Sequence, residues 1–288
     1  MSDDYGARAV AFFLPQFHPI PENDGWWGPG FTEWTNAAKA RSLYPGHRQP
    51  TLPADLGFYD LRLPETREAQ SALAETYGVE AFCYWHYWFG GGRRVLETPF
   101  TEVLASGEPS VSFCLGWANQ TWTGIWHGAA DRVLMEQTYP GPEDDQAHFD
   151  AIVAAFRDER YLRVDGRPVF YVFRREELPD AAQFVDRWQQ MARKAGLDPD
   201  HYTPAVYPNW DNTPRSGRRG LAVHGSSPEK FRPHVRAAID TLSARPGDER
   251  LLWIKSWNEW AEGNHLEPDL EFGHGWLQVL HEELRRGR

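Results

Sequence analysis

Short apolar runs recur along this chain, each ending in a loop rich in glycine, proline or tryptophan. They fall at residues 8–14, 79–84, 111–115, 133–137, 168–173, 203–207, 221–223 and 251–255. Segments of helical period lie among them, at residues 64–77 with Gly78 as the stop, 143–157, 181–194, 229–243 and 275–285. Buried strands alternating with amphipathic helices call for a parallel sheet covered by helices. Eight such runs in 288 residues, with aromatic and amide residues at their C-terminal ends, predict an α/β fold. The form expected is a single (β/α)8 TIM barrel over residues 1–288, with long strand-to-helix loops and its functional groups at the strand C-termini. No linker or internal repeat divides the chain, and neither GxGxxG nor GxxxxGK[ST] appears, so a dinucleotide or P-loop fold has no fingerprint.

A net charge of −11 disfavours nucleic acid or an anionic membrane surface as the main partner, because both select basic patches. The start, MSDDYGARAV, has no basic region leading into an apolar one, and no run is long enough to span a bilayer. A cytoplasmic protein without membrane insertion is therefore expected; its oligomeric state is open. Cys83 and Cys114 sit in apolar runs outside any CxxC spacing and read as small core residues. His86, His127, His224 and His265 show no metal-ligand spacing, so neither a metal nor a cofactor is expected.

The last apolar run leads into WNEWAEGNHLEPD, from Trp257 to Asp269, where Glu259 and Glu262 stand three residues apart. A continued strand would send them to opposite faces. If the strand ends near Trp257 and the chain turns helically, their Cβ atoms come to roughly 5–6 Å, about the separation of the carboxyl pair in retaining glycosidases. Glu-x-x-Glu also reads as a solvated helix face or a cap. Flanking indoles favour the first reading, since apolar contact and a like charge push two carboxyl pKa values apart.

The chain holds 14 tryptophans, many beside Gly, Asn or His, and indoles in turns suit stacking on a sugar ring. Trp85, Trp117, Trp122 and Trp257 are the candidate sugar-facing walls, with His86, Asn119 and Asn258 as candidate hydroxyl partners. Tyr207 and Trp210 are candidates for a similar role. Each has an alternative in core packing or loop anchoring, and Glu33 reads equally as a binding group or as the anchor of its long loop.

The segments FFLPQFHPIPENDGWWGPGFTEWTN, LPADLGFYDLR, FCYWHYWFGG, FCLGWANQTW and SWNEWAEGNHLEPD resemble, in order and over nearly the whole chain, the WbsX-like family, related to glycoside hydrolase family 99. The resemblance implies a (β/α)8 barrel acting on an oligosaccharide or polysaccharide, in a family found with bacterial cell-surface polysaccharide genes such as those of lipopolysaccharide biosynthesis and often labelled glycosyltransferase. It implies Glu262 as the general acid/base and Glu259 as the base acting on the sugar's 2-hydroxyl, which forms a 1,2-anhydro sugar that water opens with net retention. α-Manno- and α-rhamno-configured linkages, with their trans 2-hydroxyl, meet that requirement. One departure bears on substrate preference: where the family reads WANE, then NW and basic residues, this chain has Gln120, then Gly124 and Ile125. Two other functions stay open, a glycosyltransferase or transglycosylase and a carbohydrate-binding barrel without catalysis.

Overall fold

The computed structural model describes residues 5–124, 129–195 and 205–286. Its main sheet is parallel, with strands β1 (Arg8–Phe13), β2 (Val79–His86), β3 (Ser112–Trp117), β4 (Phe170–Val172), β5 (Ala205–Val206) and β6 (Leu251–Ile254). The order across the sheet is β4-β3-β2-β1-β6-β5, with Arg8 opposite Leu251 and Ala81 opposite Ser112. The helices are α1 (Pro21–Trp27), α2 (Glu33–Lys39), α3 (Pro64–Thr76), α4 (Thr98–Ser106), α5 (Pro142–Arg157), α6 (Ala181–Lys194), α7 (Thr213–Ser216), α8 (Pro228–Leu242) and α9 (Gly275–Arg286). Proline in the first turn of α3, α5 and α8 suits a position whose N–H would lack a helical partner in any case.

Two of the eight expected strands do not join this sheet. The run at residues 133–137 overlaps the end of Ala129–Met135, which pairs antiparallel with Trp122–Gly124 as a hairpin. The run at residues 221–223 contributes only an antiparallel bridge between Asp211 and Ala222. Both are short, and apolar content alone cannot say which strand a segment will pair with. The expected strand at 203–207 begins outside the described residues, as do Trp126 and His127. The observed architecture is thus a curled six-stranded parallel sheet, and an eight-stranded closure is not seen among the described residues.

The curl is visible in the inward-facing rings. β4 and β6 stand four strands apart in sheet order, which in a flat sheet means roughly 19 Å at about 4.8 Å per strand. Yet the rings of Tyr171 on β4 and Trp253 on β6 lie 5.6 Å apart, and both contact Phe12 of β1, at 5.0 and 5.3 Å. Trp85 of β2 stacks on Phe12 at 4.7 Å. It lies against β3 because Gly116 leaves room: a Cβ there would come within 3.3 Å of the indole and 3.0 Å of the Cys83 sulfur. Both cysteines are buried and free. On the outer face, Phe13, Phe82 and Tyr84 pack together and reach Phe100 of α4.

The segment after β6 is pinned to β1 by amide hydrogen bonds. Leu14 N–H donates to Asn258 Oδ1 at 2.7 Å, and Asn258 Nδ2 donates to Leu14 O at 3.2 Å and Tyr59 Oη at 3.3 Å. Trp257 N–H donates to Phe12 O at 2.8 Å. We expect Asn258→Ala to lower unfolding stability by about 2–4 kcal/mol in urea titrations, because it strands two buried backbone groups; a loss under about 0.5 kcal/mol would show that the pin is dispensable.

Candidate active site

Beyond β6 the chain forms a tight hairpin. Asn258–Glu259 pairs antiparallel with Asn264–His265, and a 3-10 turn, Trp260–Glu262, joins them. Gly263 closes the turn at φ 59°, and a Cβ there would come within 3.0 Å of Asp211. The sheet strand β6 therefore ends before both glutamates, and one ammonium, that of Lys255, reaches both side chains. Neither is more than 6% exposed.

Two cations hold them. Lys255 Nζ lies 2.5 Å from Glu259 Oε2 and 3.3 Å from Glu262 Oε2. Arg215, from α7, donates to Glu262 Oε1 at 2.6 Å and through Nε to Glu33 Oε1 at 3.0 Å, with a further contact from its NH2 group to Glu33. Gln16 Nε2 donates to Glu33 Oε2 at 3.3 Å, and Trp85 Nε1 donates to Glu259 Oε1 at 3.1 Å. The ends of β1, β2 and β6 thus meet α2 and α7 around one cluster of three carboxylates and two cations.

The two glutamates titrate apart. Burial and the neighbouring Glu262 charge push Glu259 up to about 7 against the pull of Lys255. Burial would raise Glu262 as well, but Lys255 and Arg215 overcome it and hold Glu262 down at about 2. The Tyr87 phenol is driven far up by burial and then by the charge of Glu259. Trp122, half-buried, meets the buried Tyr87 edge to face at 5.0 Å and Trp26 at 5.9 Å. Trp210, also half-buried, lies 5.3 Å beneath the Lys255 ammonium.

Of the residues expected at the site, Glu33, Trp85, Glu259 and Glu262 come together, and Trp122 joins through Tyr87. Six others lie elsewhere. Because Trp85 points inward, strand alternation sends His86 outward, where its Nε2 meets His148 Nε2 at 2.8 Å. Trp117, opposite His86 in the register, also faces outward and donates to Trp88 O at 2.9 Å. Asn119 is fully buried and bonds Arg174 N, Arg174 O and Tyr139 Oη, which fastens its loop. Trp257 is fully buried against Phe82 at 4.9 Å, and Asn258 is spent on Leu14. Tyr207 is 50% exposed past the end of β5, whereas Trp210 from the same loop approaches the pair through Lys255.

Lys255, Arg215 and Tyr87 were not singled out by sequence. Lys255 carried a signal, as the lone charge closing the run LLWIK. Arg215 carried none, lying in NTPRSGRRG without any period. A separate apolar cavity of about 480 Å³, lined by Phe12, Phe170, Trp188 and Trp253 among others, lies towards the sheet edges, and neither glutamate lines it.

A curled parallel sheet bearing a buried carboxylate pair at the C-terminal end of its strands is an architecture found among glycoside hydrolases. The fold is shared with a solved glycoside hydrolase-like protein, at TM-score 0.65 and 14% identity over 99% of this chain and 95% of that one. It is shared too with the family 99 endo-α-mannosidase of Bacteroides thetaiotaomicron, solved in complex with bis-tris-propane, at TM-score 0.58 and 14% identity over 99% of this chain and 98% of that one. The family described as Glycosyltransferase WbsX matches residues 9–202 and 198–280, and the chain belongs to it. It is 35% identical to the uncharacterized protein WxcX of Xanthomonas campestris pv. campestris over 348 aligned positions, covering 97% of this chain and 50% of that protein. The chain thus spans about half the length of the curated relatives it matches. Among the described residues no helix is long and apolar enough to cross a membrane.

Two expectations follow. Arg215→Met leaves Glu33 and Glu262 buried with one cation fewer, and should cost about 3–5 kcal/mol of stability; equal urea midpoints for variant and parent would show that the ion cluster carries no such weight. The His86 and His148 rings are held neutral by burial, His86 down to about 3 and His148 well below its ordinary value. Below about pH 6.5 the unfolded chain binds protons that the folded one refuses, so this contribution is present above that pH and is lost as pH falls towards 3. His148→Gln should flatten the decline of unfolding stability between pH 6.5 and 4, and an unchanged slope would assign that decline to other groups.

Proposed function

We propose that this chain is a glycan-processing enzyme, a retaining glycoside hydrolase acting on α-manno- or α-rhamno-configured linkages of a bacterial surface-type glycan, with Glu259 and Glu262 as its reacting pair. The observation that carries the reading is that one ammonium touches both carboxylates, at 2.5 and 3.3 Å, with the Trp85 indole N–H bonded to Glu259. Those distances leave the two bonded oxygens no more than about 6 Å apart, below the roughly 6.5–9.5 Å that inverting enzymes need for an interposed water. In the reaction proposed, Glu259 takes the proton of the sugar's 2-hydroxyl, whose oxygen displaces the leaving group as Glu262 protonates it. Water then opens the 1,2-anhydro sugar with the roles reversed, which returns the original anomer.

The resting charges run opposite to this starting state, since the pair's proton sits on Glu259 and Glu262 is clamped as a carboxylate. In our reading the incoming glycoside takes the 2-hydroxyl to Glu259 and loosens the clamp on Glu262, so that the proton moves across before chemistry. The same observation favours a second assignment, with Glu259 as proton donor and Glu262 as the attacking carboxylate. A donor is dispensable when the leaving group is already a good one, so the two assignments part experimentally.

Mass spectrometry of α-manno- and α-rhamno-oligosaccharides incubated with the protein, with and without nucleotide sugars, tests the activity. Shortened products support the hydrolase; products lengthened only with a donor would replace it with transfer, and binding without products would leave a carbohydrate-binding barrel. Glu262→Gln should cut oligosaccharide turnover by about a hundredfold to ten-thousandfold with the fold intact, yet retain cleavage of nitrophenyl glycosides. Retention by Glu259→Gln in its place would install the second assignment, and near-parental activity of both variants on oligosaccharides would remove the pair from the reaction.

A further inference from the structure

β6 is fully buried along Leu251–Ile254, and Lys255 interrupts that apolar run at its mouth. Its side chain keeps 28% of its surface exposed, against 6% and 7% for the side chains of Glu259 and Glu262. An ammonium presents three donors: two meet Glu259 and Glu262, while the cation lies 5.3 Å over the Trp210 ring. Arg215, by contrast, joins Glu262 to Glu33. We infer that Lys255 is a positioning residue for the reaction, its ammonium tying Glu259 and Glu262 into one pair that carries a single proton. The inference rests on the reading of these two carboxylates as the reacting groups.

The charged and titratable groups facing the ammonium are Glu259 and Glu262 from the hairpin, Arg215 from α7, Glu33 behind Arg215 from α2, and Tyr87 past the end of β2. With Lys255 present, three carboxylates meet two cations, and one proton brings the cluster to neutrality. Lys255 itself stays charged, because the two glutamates outweigh the burial that disfavours its ammonium. With Lys255 gone, three buried carboxylates would face one guanidinium. Repulsion in a site of low dielectric would then draw in a second proton or drive the side chains apart. Acid and base would no longer coexist at one pH, and a reaction that needs one carboxyl and one carboxylate would stall.

The test reads the carboxyls directly and needs no substrate. Protein carrying glutamate labelled with carbon-13 at the carboxyl is titrated by NMR as parent, Lys255→Met, Lys255→Gln and Lys255→Arg, with Glu259→Gln and Glu262→Gln assigning the resonances. We expect the Glu262 midpoint to rise by about one pH unit or more in the Met and Gln variants, and to stay within about half a unit of the parent in Lys255→Arg. Lys255→Gln retains hydrogen-bond donors without the charge, so the charge is tested even where Met compromises folding. An unchanged Glu262 titration in a folded Met or Gln variant overturns the inference, whatever glycans the protein cleaves. Absence of glycan cleavage by the parent, with the titration shifted as expected, overturns the hydrolase reading instead. On a substrate found in the panel above, Lys255→Met should lower kcat about a hundredfold with KM within about threefold and move the pH optimum upward, with Lys255→Arg restoring it.

Discussion

The two amide hydrogen bonds between Asn258 and Leu14 hold the first strand of the sheet to the segment that follows its last. Their effect reaches well past Leu14. The same segment carries Glu267, fully buried, which accepts from Gln70 of α3 at 2.7 Å, from Tyr59 Oη at 2.9 Å and from Trp260 Nε1 at 2.7 Å. Trp34 of α2 donates to Tyr59 O at 2.8 Å, so α2, α3 and β1 are all referred to one hairpin. Glu33, one residue before Trp34, is thereby placed to meet Arg215, and the ion cluster inherits its geometry from neutral hydrogen bonds laid down around it. A site built this way depends on backbone and amide contacts for position and on charge for chemistry.

That division explains why residues one step apart do such different work. Asn258 and Glu259 are neighbours, both buried, and on a strand their side chains diverge. Asn258 turns to the sheet and is consumed there, while Glu259 turns to the pocket. Trp85 and His86 divide in the same manner at the end of β2. Conversion of either segment by a single-residue slip would exchange the two sets, so the carboxylate-bearing face and the anchoring face are specified together.

Element type and site location were legible in the sequence, and side-chain direction was not. The apolar runs at β1, β2, β3 and β6 are bounded by turn residues, and all five expected helices fall within two residues of their expected ends. The run at residues 133–137 looked the same locally, yet it pairs with Trp122–Gly124, a choice made by tertiary contacts that no local pattern carries. Glu259 and Glu262 could be found because their spacing converges only if the strand stops, and a Trp-Asn-Glu-Trp sequence before Gly263 is where a strand stops. His86 misled because an imidazole at a strand end suits a pocket and an outer wall equally well. Only the inward position of Trp85, allowed by Gly116 on the next strand, decides which it is. Arg215 was invisible because its role is set by two partners distant in sequence, Glu33 and Glu262.

The abundance of tryptophan takes on a further meaning once the partners are known. Among the described residues, indole N–H groups donate to carboxylates from Trp85 to Glu259, Trp88 to Asp144, Trp260 to Glu267 and Trp276 to Asp269. An indole satisfies a carboxylate oxygen inside an apolar shell without adding a charge of its own. The consequence differs from that of a cation. Glu267, held by neutral donors alone, is lifted by burial to about 7, whereas Glu262, between two cations, falls to about 2. Glu259 receives one donor of each kind, from Trp85 and Lys255, and stands at about 7 only because burial and Glu262 press against the lysine. In the candidate site the neutral indole donor and the two cations thus act on neighbouring carboxylates with opposite effect, one lifted towards neutral pH and the other kept ionised.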